Sequence, residues 1–362
     1  MNKNKFKIAV YAISKNEEKF VDRWYESIKD ADEIVVLDSG SSDNTVTKLK
    51  QKNVKVYEKK IEPWRFDAAR NESLKLVSED IDICICLDLD EIMEKDWYEK
   101  IQNIWKEDTT RLLYVYNWHF DEQGNPDVTF YSEKIHSRKG YKWINPVHEI
   151  LECKNENKIV TDEIIINHYP DQTKSRSSYL PLLELAVKED PNNDRNMHYL
   201  GREYMYYGKY NECIDTLIKH LELPTAKWDA ERCASMRFIS RSYINLGRKK
   251  EAEMWLKLAI KEASYLRESY VELAGFYKDN ERYEEAYELL KQAFLIKEKA
   301  PIYINEAFAW NEYIYELMGI VCYNLKLYPE SLMYMEQALE IAPDNEEIKN
   351  NYILINNQLN NK

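Results

Sequence analysis

Two aspartates, Asp88 and Asp90, are the residues whose type and spacing most clearly indicate chemistry. They follow the apolar run Ile81–Leu87, which predicts a buried strand. Because open α/β sheets bind ligands at the carboxyl ends of their strands, this position brings both carboxylates to a binding edge. Carboxylate oxygens are preferred ligands of Mg²⁺ and similar cations, and such a cation neutralises a diphosphate. The pair predicts a metal site, although aspartate pairs also occur in ordinary loops.

Other polar groups follow the neighbouring predicted strands. The first strand ends near Ser14, with Glu17 opening the next helix, and the second strand ends at Asp38. Asp38 can accept a hydrogen bond from a base N–H, and residues 39–42 can offer backbone amides. Arg70, at the start of a predicted helix, can bind phosphate or hold an aspartate. The alternative interpretations are purely structural. A residue of the loop after Asp38 would cap the following helix, and Arg70 would be a solvated arginine on a helix surface.

The elements that must position these residues alternate between strand and helix up to about residue 167. The β-rich runs are Phe6–Ile13, Glu33–Leu37, Val54–Tyr57 and Ile81–Leu87, and the amphipathic stretches are Glu17–Lys29, Asp43–Lys52 and Asp67–Ser78. This alternation predicts βαβ units and a mostly parallel sheet. From Arg111 to His168 the pattern is strand-like with long turns, which predicts a mixed sheet added at one edge.

After Asp171 the periodicity is helical to the end of the chain, and a self-similar unit recurs within it. The units contain Leu200, Gly201 and Tyr204; Tyr243, Gly247 and Ala252; Leu273, Ala274 and Tyr277; and Met318, Gly319 and Tyr328. They resemble the tetratricopeptide repeat (TPR), although no unit carries the whole pattern, so a plain helical bundle is the alternative. The predicted domains are therefore residues 1–171 and residues 172–362.

The tyrosines of this second half fall into two groups. Tyr204, Tyr243 and Tyr277 recur at one position of the repeat, which predicts that they pack between helices. Tyr206 and Tyr207 lie off that register and are predicted to be exposed. Stacked helical hairpins form a concave surface suited to an extended chain, so exposed tyrosines there would contact a bound polypeptide.

Composition limits the classes of function. The 362 residues suffice for two or three domains, and with only 8 glycines and 10 prolines long helices are favoured. A net charge of -13 argues against general binding to nucleic acid. The six cysteines are dispersed, which predicts reduced thiols in a cytoplasmic protein. We expect no signal peptide at the N-terminus and no membrane span, because no run of 18 apolar residues exists.

Taken in order, the motifs of the first half resemble the inverting family 2 glycosyltransferases. These motifs are S-K-N-E-E (14–18), V-L-D-S-G-S-S-D-N-T (36–45), F-D-A-A-R-N (66–71), D-L-D-E (88–91) and V-H-E (147–149). The resemblance implies an α/β GT-A domain, a Rossmann-like fold that binds nucleotide-diphospho-sugars, followed by the all-α TPR-like domain. With its helical tail the chain is similar to bacterial peptide S- and O-glycosyltransferases of the sublancin type, and also to glucosyltransferases of lipopolysaccharide core assembly.

The resemblance also implies where the donor binds. Asp38 is expected to contact the nucleobase, which we expect to be uracil, and Asp88 to lie near the ribose. Arg70 is expected beside the nucleotide, and Ser14 and Glu17 belong to the first motif of the same site. The implied donor is UDP-glucose or UDP-GlcNAc.

The metal in this family would be Mn²⁺ or Mg²⁺, held by the carboxylate of Asp90. Members of the family often supply a later histidine near the metal. His168, which ends the segment I-I-I-N-H-Y, fits that place. A single histidine is equally well explained as a structural residue.

The acceptor side is less well defined by the sequence. Trp143 offers a flat apolar face on which a sugar ring can stack. Inverting transfer needs a general base for the acceptor proton, and Glu149 or His148 can serve. If both lie in a strand, only one of them faces the site. Asp121 is a competing base, and a thiol acceptor would need a base less.

These features favour transfer of one sugar to a peptide or protein acceptor that the helical repeats recruit. The chain lacks the Q-x-x-R-W motif of processive synthases, which argues for single transfer. Asn145 and Pro146 replace the small residues usual before V-H-E, so the acceptor loop is expected to differ in shape. The alternatives are a cell-envelope glycan or lipid-linked acceptor, and a TPR scaffold with an inactive transferase domain. A homodimer is an open alternative for the assembly.

Overall fold

In a computed structural model of the chain, the alternating pattern of the first half forms one eight-stranded sheet. The structure describes residues 6–121, 123–171 and 179–360. The chain divides into two units, Met1–Glu189 with Pro301–Tyr303 and Asp190–Ala300 with Ile304–Lys362. The expected boundary at residues 171 and 172 borders residues 172–178, which lie outside the described residues, and it stays a prediction.

The strands and helices of the first unit follow the predicted order, with one strand and one helix added after the aspartate pair. Their bounds are β1 Ile8–Ser14, α1 Val21–Ile28, β2 Glu33–Asp38, α2 Thr45–Gln51, β3 Lys55–Glu58, α3 Phe66–Lys75, β4 Ile83–Cys86, β5 Glu91–Met93, α4 Trp97–Ile104, β6 Arg111–Phe120, β7 Pro126–Ser137, β8 Lys142–Ile144, β9 Ile150–Glu152, β10 Lys158–His168 and α5 Tyr179–Glu189. The strands β8 and β9 form a separate two-stranded sheet.

The order of strands in the main sheet determines which residues can meet. It is β3-β2-β1-β4-β7-β6-β10-β5. Strands β1 to β4 pair in parallel, whereas β7 is antiparallel to both β4 and β6, and β10 is parallel to β6. The carboxyl ends of β1, β2, β4, β6 and β10 therefore lie at the same edge of the sheet. This confirms the expected mixed extension of a mostly parallel sheet.

The central strands are buried on both faces, which explains their nearly continuous apolar sequences. In β1 successive side chains point to opposite faces, so Val10 packs in the cluster that contains Trp24 of α1. Its neighbour Tyr11 packs in the second cluster, with Leu74 of α3. Both helices thus hold the strand ends in place beneath the predicted binding edge.

The second unit consists of helices that pack in successive pairs. Their bounds are α6 Asp194–Tyr206, α7 Tyr210–Glu222, α8 Asp229–Asn245, α9 Lys249–Glu262, α10 Arg267–Asp279, α11 Tyr283–Leu295, α12 Glu312–Asn324, α13 Tyr328–Ile341 and α14 Glu346–Asn360. Tyr243 and Tyr277 are buried as predicted, and Tyr204 is half-buried. The predicted exposure of Tyr206 and Tyr207 is confirmed, at 57% and 46%. None of the helices in the described part of the chain is long and apolar enough to cross a membrane.

Candidate active site

The loop after β2 is organised around the carboxylate of Asp38. One oxygen accepts from the backbone N–H groups of Gly40 and Ser41, at 2.9 and 2.8 Å. The other accepts from the hydroxyls of Ser14 and Ser41, at 2.8 and 2.5 Å. These four donors fill the acceptor positions of a carboxylate. A contact from Asp38 to a base stays a prediction, and it requires the base to replace one of these donors.

The loops after β1 and β2 are joined by further hydrogen bonds. The side-chain oxygen of Asn16 accepts from the backbone N–H of Ser42 at 2.7 Å. The backbone N–H of Glu17 donates to the hydroxyl of Thr45 at 2.8 Å. The structure thus brings Ser14, Glu17 and the Asp38 loop together at the carboxyl edge, as their order in the sequence predicted.

Arg70 connects two of the predicted motifs. Its guanidinium donates to both oxygens of Asp88, at 2.8 and 3.0 Å, and through Nε to Glu149 at 2.5 Å. Burial lowers the pKa of Arg70, but the charges of Asp88 and Glu149 overcome this effect and raise it well above its ordinary value. Arg70 is 6% exposed, so the alternative interpretation of a solvated helix arginine is wrong.

A second cation, Lys134 of β7, also contacts Asp88. Its ammonium donates to Asp88 at 3.1 Å and to Glu91 at 2.7 Å. Burial raises the pKa of Asp88, but Arg70 and Lys134 outweigh this and hold it well below its usual range. Asp88 therefore remains ionised and shares its charge with two cations, which makes it a poor ligand for a third.

Glu91 is a buried carboxylate that contacts both Asp88 and Lys134. It is 1% exposed, and it accepts hydrogen bonds from the backbone N–H of Asp88 at 2.9 Å and from the hydroxyl of Tyr116 at 2.6 Å. Burial raises the pKa of Glu91, and the bond from Lys134 only partly offsets this. Neither Glu91 nor Lys134 was identified from the sequence as a site residue. The fourth letter of D-L-D-E was the signal available for Glu91.

Asp90 faces a different partner. Its carboxylate lies 3.5 Å from Nε2 of His168, whose Nδ1 donates to the backbone carbonyl of Trp118 at 3.1 Å. Burial lowers the pKa of His168, but the hydrogen bond and charge of Asp90 raise it above its ordinary value. The bond to the Trp118 carbonyl fixes which ring nitrogen faces Asp90, as outer partners do for metal-binding histidines.

The possible metal ligands at Asp90, a carboxylate and an imidazole, suit a divalent cation that the substrate also helps to bind. Among the described residues, no group of three or more His, Cys, Asp or Glu side chains is arranged around a metal position. Mg²⁺ is usually held by one or two protein ligands together with substrate phosphates and water, so a carboxylate and an imidazole fit this pattern. The metal roles of Asp90 and His168 stay predictions.

Trp143 does not lie where the sequence suggested. Its ring is 2% exposed, its indole N–H donates to the hydroxyl of Tyr11 at 2.9 Å, and the guanidinium of Arg70 lies 5.1 Å from the ring centre. No face is left for a sugar ring, so the expected stacking role is corrected. Trp143 instead forms the apolar and cation–π support beneath Arg70.

The candidate bases occupy separate positions. Glu149 and His148 lie in the loop between β8 and β9, not in a strand, and His148 has a left-handed backbone with φ of 51°. The strand alternation assumed for this pair is therefore wrong. Glu149 is tied to Arg70, whereas the ring of His148 lies 5.8 Å from that of Tyr179. Asp121 lies in the β6–β7 turn and accepts from the backbone N–H of Asn125 at 2.7 Å.

Parts of the chain match two known protein families. Residues 10–155 match the family described as "Glycosyl transferase family 2", and residues 238–264 and 268–299 match "Tetratricopeptide repeat". The chain therefore contains a family 2 glycosyltransferase domain. Both parts of the predicted architecture are confirmed, because the repeats lie in the second unit. His168 lies outside the matched range, and Asp38, Arg70, Asp88, Asp90 and Glu149 lie within it.

The chain is also similar to curated proteins. Two are the "SPbeta prophage-derived glycosyltransferase SunS" of Bacillus subtilis (strain 168) and the "Glycosyltransferase SunS" of Bacillus phage SPbeta. Each is 27% identical over 273 residues, which is 70% of this chain and 62% of the relative. The chain thus spans about three fifths of the length of these relatives.

Solved structures with similarity to the chain include a TPR protein and a hetero-tetramer. The thermophilic TPR protein TTC0263 of Thermus thermophilus is 19% identical with a TM-score of 0.37, and covers 49% of this chain and 89% of its own. The Cut9–Hcn1 hetero-tetramer of the APC/C is 14% identical with a TM-score of 0.42, and covers 51% and 33%.

Proposed function

We propose that this chain transfers a single sugar from UDP-glucose or UDP-GlcNAc to a peptide or protein acceptor, with inversion at the anomeric carbon. The main support is the geometry of one sheet edge in a family 2 domain. There the Asp38 loop, the Arg70–Asp88 pair and the Asp90–His168 pair follow three different strands and lie at a common edge. Such an edge is the general ligand site of open α/β sheets.

In this proposal the nucleotide binds across the loops after β1 and β2. The fixed loop that Asp38 organises would receive the base, with Ser14 and Glu17 beside it. Arg70, held in place by Asp88 and Glu149, would lie next to the ribose and phosphates. Because its side chain is already ordered by three hydrogen bonds to these carboxylates, binding would cost little further side-chain entropy.

Asp90 and His168 would hold Mn²⁺ or Mg²⁺. When bound, the cation would supply positive charge to the diphosphate leaving group. The protein's own part is to aim the two ligands, and the Trp118 carbonyl does this for His168. Lys134 adds a second positive charge at the same edge, bonded to Asp88 and Glu91.

For the transfer step we propose Glu149 as the base, with His148 and Asp121 as alternatives. The acceptor oxygen or sulfur would form a bond to the anomeric carbon as the bond from that carbon to the diphosphate breaks. Glu149 would take the acceptor proton, and its position is set by Arg70. A thiol acceptor, already partly ionised, would depend less on this residue.

The acceptor and the compartment are further parts of the proposal. The TPR-like unit would recruit the polypeptide, and exposed aromatic residues such as Tyr206 and Tyr207 offer contacts for it. A homodimer stays an open alternative, and nothing in the acidic composition favours nucleic acid as a partner. All six cysteines are free thiols, which supports a reducing compartment such as the cytoplasm.

The test is donor hydrolysis and transfer by the full chain. We expect UDP release from UDP-glucose or UDP-GlcNAc that depends on Mn²⁺ or Mg²⁺, and a mass increase of one sugar on Cys- or Ser-rich peptides. Envelope glycans serve as competing acceptors and separate the two acceptor classes. A protein that binds no nucleotide sugar and releases no UDP with any cation would instead be a TPR scaffold with an inactive domain.

A further inference from the structure

A pocket of about 430 Å³ lies directly beside the Asp90–His168 pair. We call it the Trp118 pocket, and its lining includes Trp118, His168, Lys19 and Arg23. Its volume is in the range of small-molecule sites. Its lining residues come from the end of β6, the end of β10 with the two residues that follow it, and the start of α1 with the segment before it, all within the first unit.

Trp118 is unusual for so large an apolar side chain. It is 48% exposed at the end of β6, although neighbouring Tyr116 is buried. Its ring stacks on that of His168, with ring centres 4.5 Å apart and an angle of 22° between the planes. The indole is thus held in a defined orientation by a residue of the candidate metal site while about half of it faces solvent.

Two cationic side chains, Arg23 and Lys19, also line the Trp118 pocket. The guanidinium of Arg23 donates to the backbone carbonyl of Tyr169 at 3.0 Å and lies 4.6 Å from the ring centre of Phe20. Lys19 forms an ion pair with Asp171 at 2.7 Å. The pocket therefore combines a flat aromatic face with N–H donors held in place, which matches a ring that has one apolar C–H face and several hydroxyl oxygens.

We propose that the Trp118 pocket binds the sugar ring of the nucleotide-sugar donor, and that the indole of Trp118 is the surface on which this ring stacks. The inference rests on the proposed function. There the diphosphate lies at Asp90 and His168, and the donor sugar is joined directly to that diphosphate. A pocket that shares His168 as a wall is therefore within reach of the sugar. It also supplies the aromatic platform that the buried Trp143 cannot provide.

The experiment compares two ligands that differ only by the sugar. Calorimetry in the presence of Mn²⁺ measures the Kd of UDP-glucose, or of UDP-GlcNAc if that binds better, and the Kd of UDP. We expect Trp118→Ala to weaken the nucleotide sugar roughly tenfold while the Kd of UDP changes less than about twofold. Trp118→Phe, which keeps a flat apolar ring, should recover most of the loss.

Two controls separate this effect from damage to the site. Tyr57→Ala removes another exposed aromatic ring, 42% exposed on β3, and should leave both Kd values unchanged. Mn²⁺ affinity should be unaffected by Trp118→Ala, because His168 is held by the backbone carbonyl of Trp118 and the substitution keeps that carbonyl.

The outcomes are distinguishable. Equal weakening of UDP and of the nucleotide sugar, or no weakening of either, overturns the sugar-binding role of Trp118 and leaves the proposed function intact. If the wild-type chain binds neither UDP-glucose nor UDP-GlcNAc, the proposed function and this inference both fall.

Discussion

Arg70 donates to both carboxylate oxygens of Asp88, at 2.8 and 3.0 Å, and so links the middle of α3 to the segment that follows β4. Lys134 also donates to Asp88, so two cationic side chains of the protein balance the charge of this carboxylate. Asp90, two residues later, faces the imidazole of His168 instead. The two aspartates of D-L-D therefore have different partners: Asp88 binds the side chains of Arg70 and Lys134, and Asp90 faces His168, where we propose the metal.

The first prediction concerns the planar fork of Arg70. Arg70→Lys retains a positive charge but cannot bond Asp88 and Glu149 at the same time. We expect the rate of donor hydrolysis to fall about 100-fold, the usual cost of a displacement on the order of 1 Å in a catalytic site. Steady-state kinetics of UDP release measures this.

Arg65→Lys is the matched control for Arg70. Arg65 precedes α3 and also bonds two carboxylates, Asp67 and Glu189, but it is 26% exposed and makes no contact with Asp88. Its replacement should change the rate less than about twofold, since exposed pairs contribute little. Equal loss in both variants would show that the Arg70 effect comes from stability and not from the site.

The second prediction concerns the metal. Asp90→Ala should lower metal-dependent donor hydrolysis by on the order of 1000-fold, because several kcal/mol of charge stabilisation are lost. EDTA should do the same to the wild-type protein. Thermal unfolding should be unchanged, since the side chain of Asp90 is 23% exposed and lies outside the apolar core. Asp162→Asn, on the exposed part of β10, is the control, and full activity of Asp90→Ala would falsify the metal assignment.

Much of this site was predictable because strand order determines which residues meet. Asp38 and Asp88 directly follow predicted parallel strands, Arg70 lies in the first half of the helix that follows a third, and the carboxyl ends of such strands share an edge. No long-range information is needed for that step. The glycosyltransferase and TPR motifs added the identity of the two domains.

The residues that were missed or misplaced depend on contacts between distant segments. Lys134 reaches Asp88 only because β7 inserts between β4 and β6 with a specific register, which local sequence does not reveal. Trp143 is buried in an apolar cluster with Tyr11, which is 132 residues away and accepts its N–H. His148 adopts a left-handed backbone that a strand-like pattern did not indicate.

The third prediction follows from a buried hydrogen-bond chain. Nδ1 of His136 donates to the carbonyl of Ser137 at 2.8 Å, so Nε2 accepts from the hydroxyl of Tyr11 at 2.9 Å, which in turn accepts from Trp143. Burial lowers the pKa of His136 from 6.5 to about 3. A proton on Nε2 would place two donors against the oxygen of Tyr11.

Stability should therefore depend on pH. Below pH 6.5 the unfolded chain binds a proton at His136, and the folded protein does not until about pH 3. The stability present above pH 6.5 is lost as the pH falls, by about 2 kcal/mol at pH 5. Urea unfolding at pH 7.5 and 5.0 should show a smaller difference for His136→Gln than for wild type. An unchanged difference would contradict the assignment, and His119→Gln, at an exposed histidine, should behave as wild type.

The fourth prediction concerns the helix pairs of the second unit. Gly201 of α6 lies so close to Leu217 of α7 that a Cβ atom there would overlap the leucine side chain. Overpacking of this kind usually costs about 1–3 kcal/mol. Alanine regains about 1 kcal/mol through its higher helix propensity, so Gly201→Ala should destabilise the unit by the difference. Gly275 of α10 is the matched control, because its added Cβ would meet only the hydroxyl of Tyr313 at 3.3 Å. Thermal unfolding should show Gly275→Ala as neutral or stabilising, and a more stable Gly201→Ala variant would disprove the packing argument.

The last prediction tests the division of labour between the two units. Tyr206 and Tyr207 are 57% and 46% exposed at the end of α6, and amphipathic rings of this kind bind polypeptides at low entropic cost. Replacing both by serine should raise the KM for a peptide acceptor about tenfold, because two anchoring rings are removed from the proposed recruiting surface. UDP release without acceptor should be unaffected, since neither tyrosine belongs to the family 2 domain. Tyr265→Ser is the control, because Tyr265 is 47% exposed in the same unit but precedes α10. If the double variant glycosylates the peptide with the wild-type KM, the acceptor does not bind at these residues.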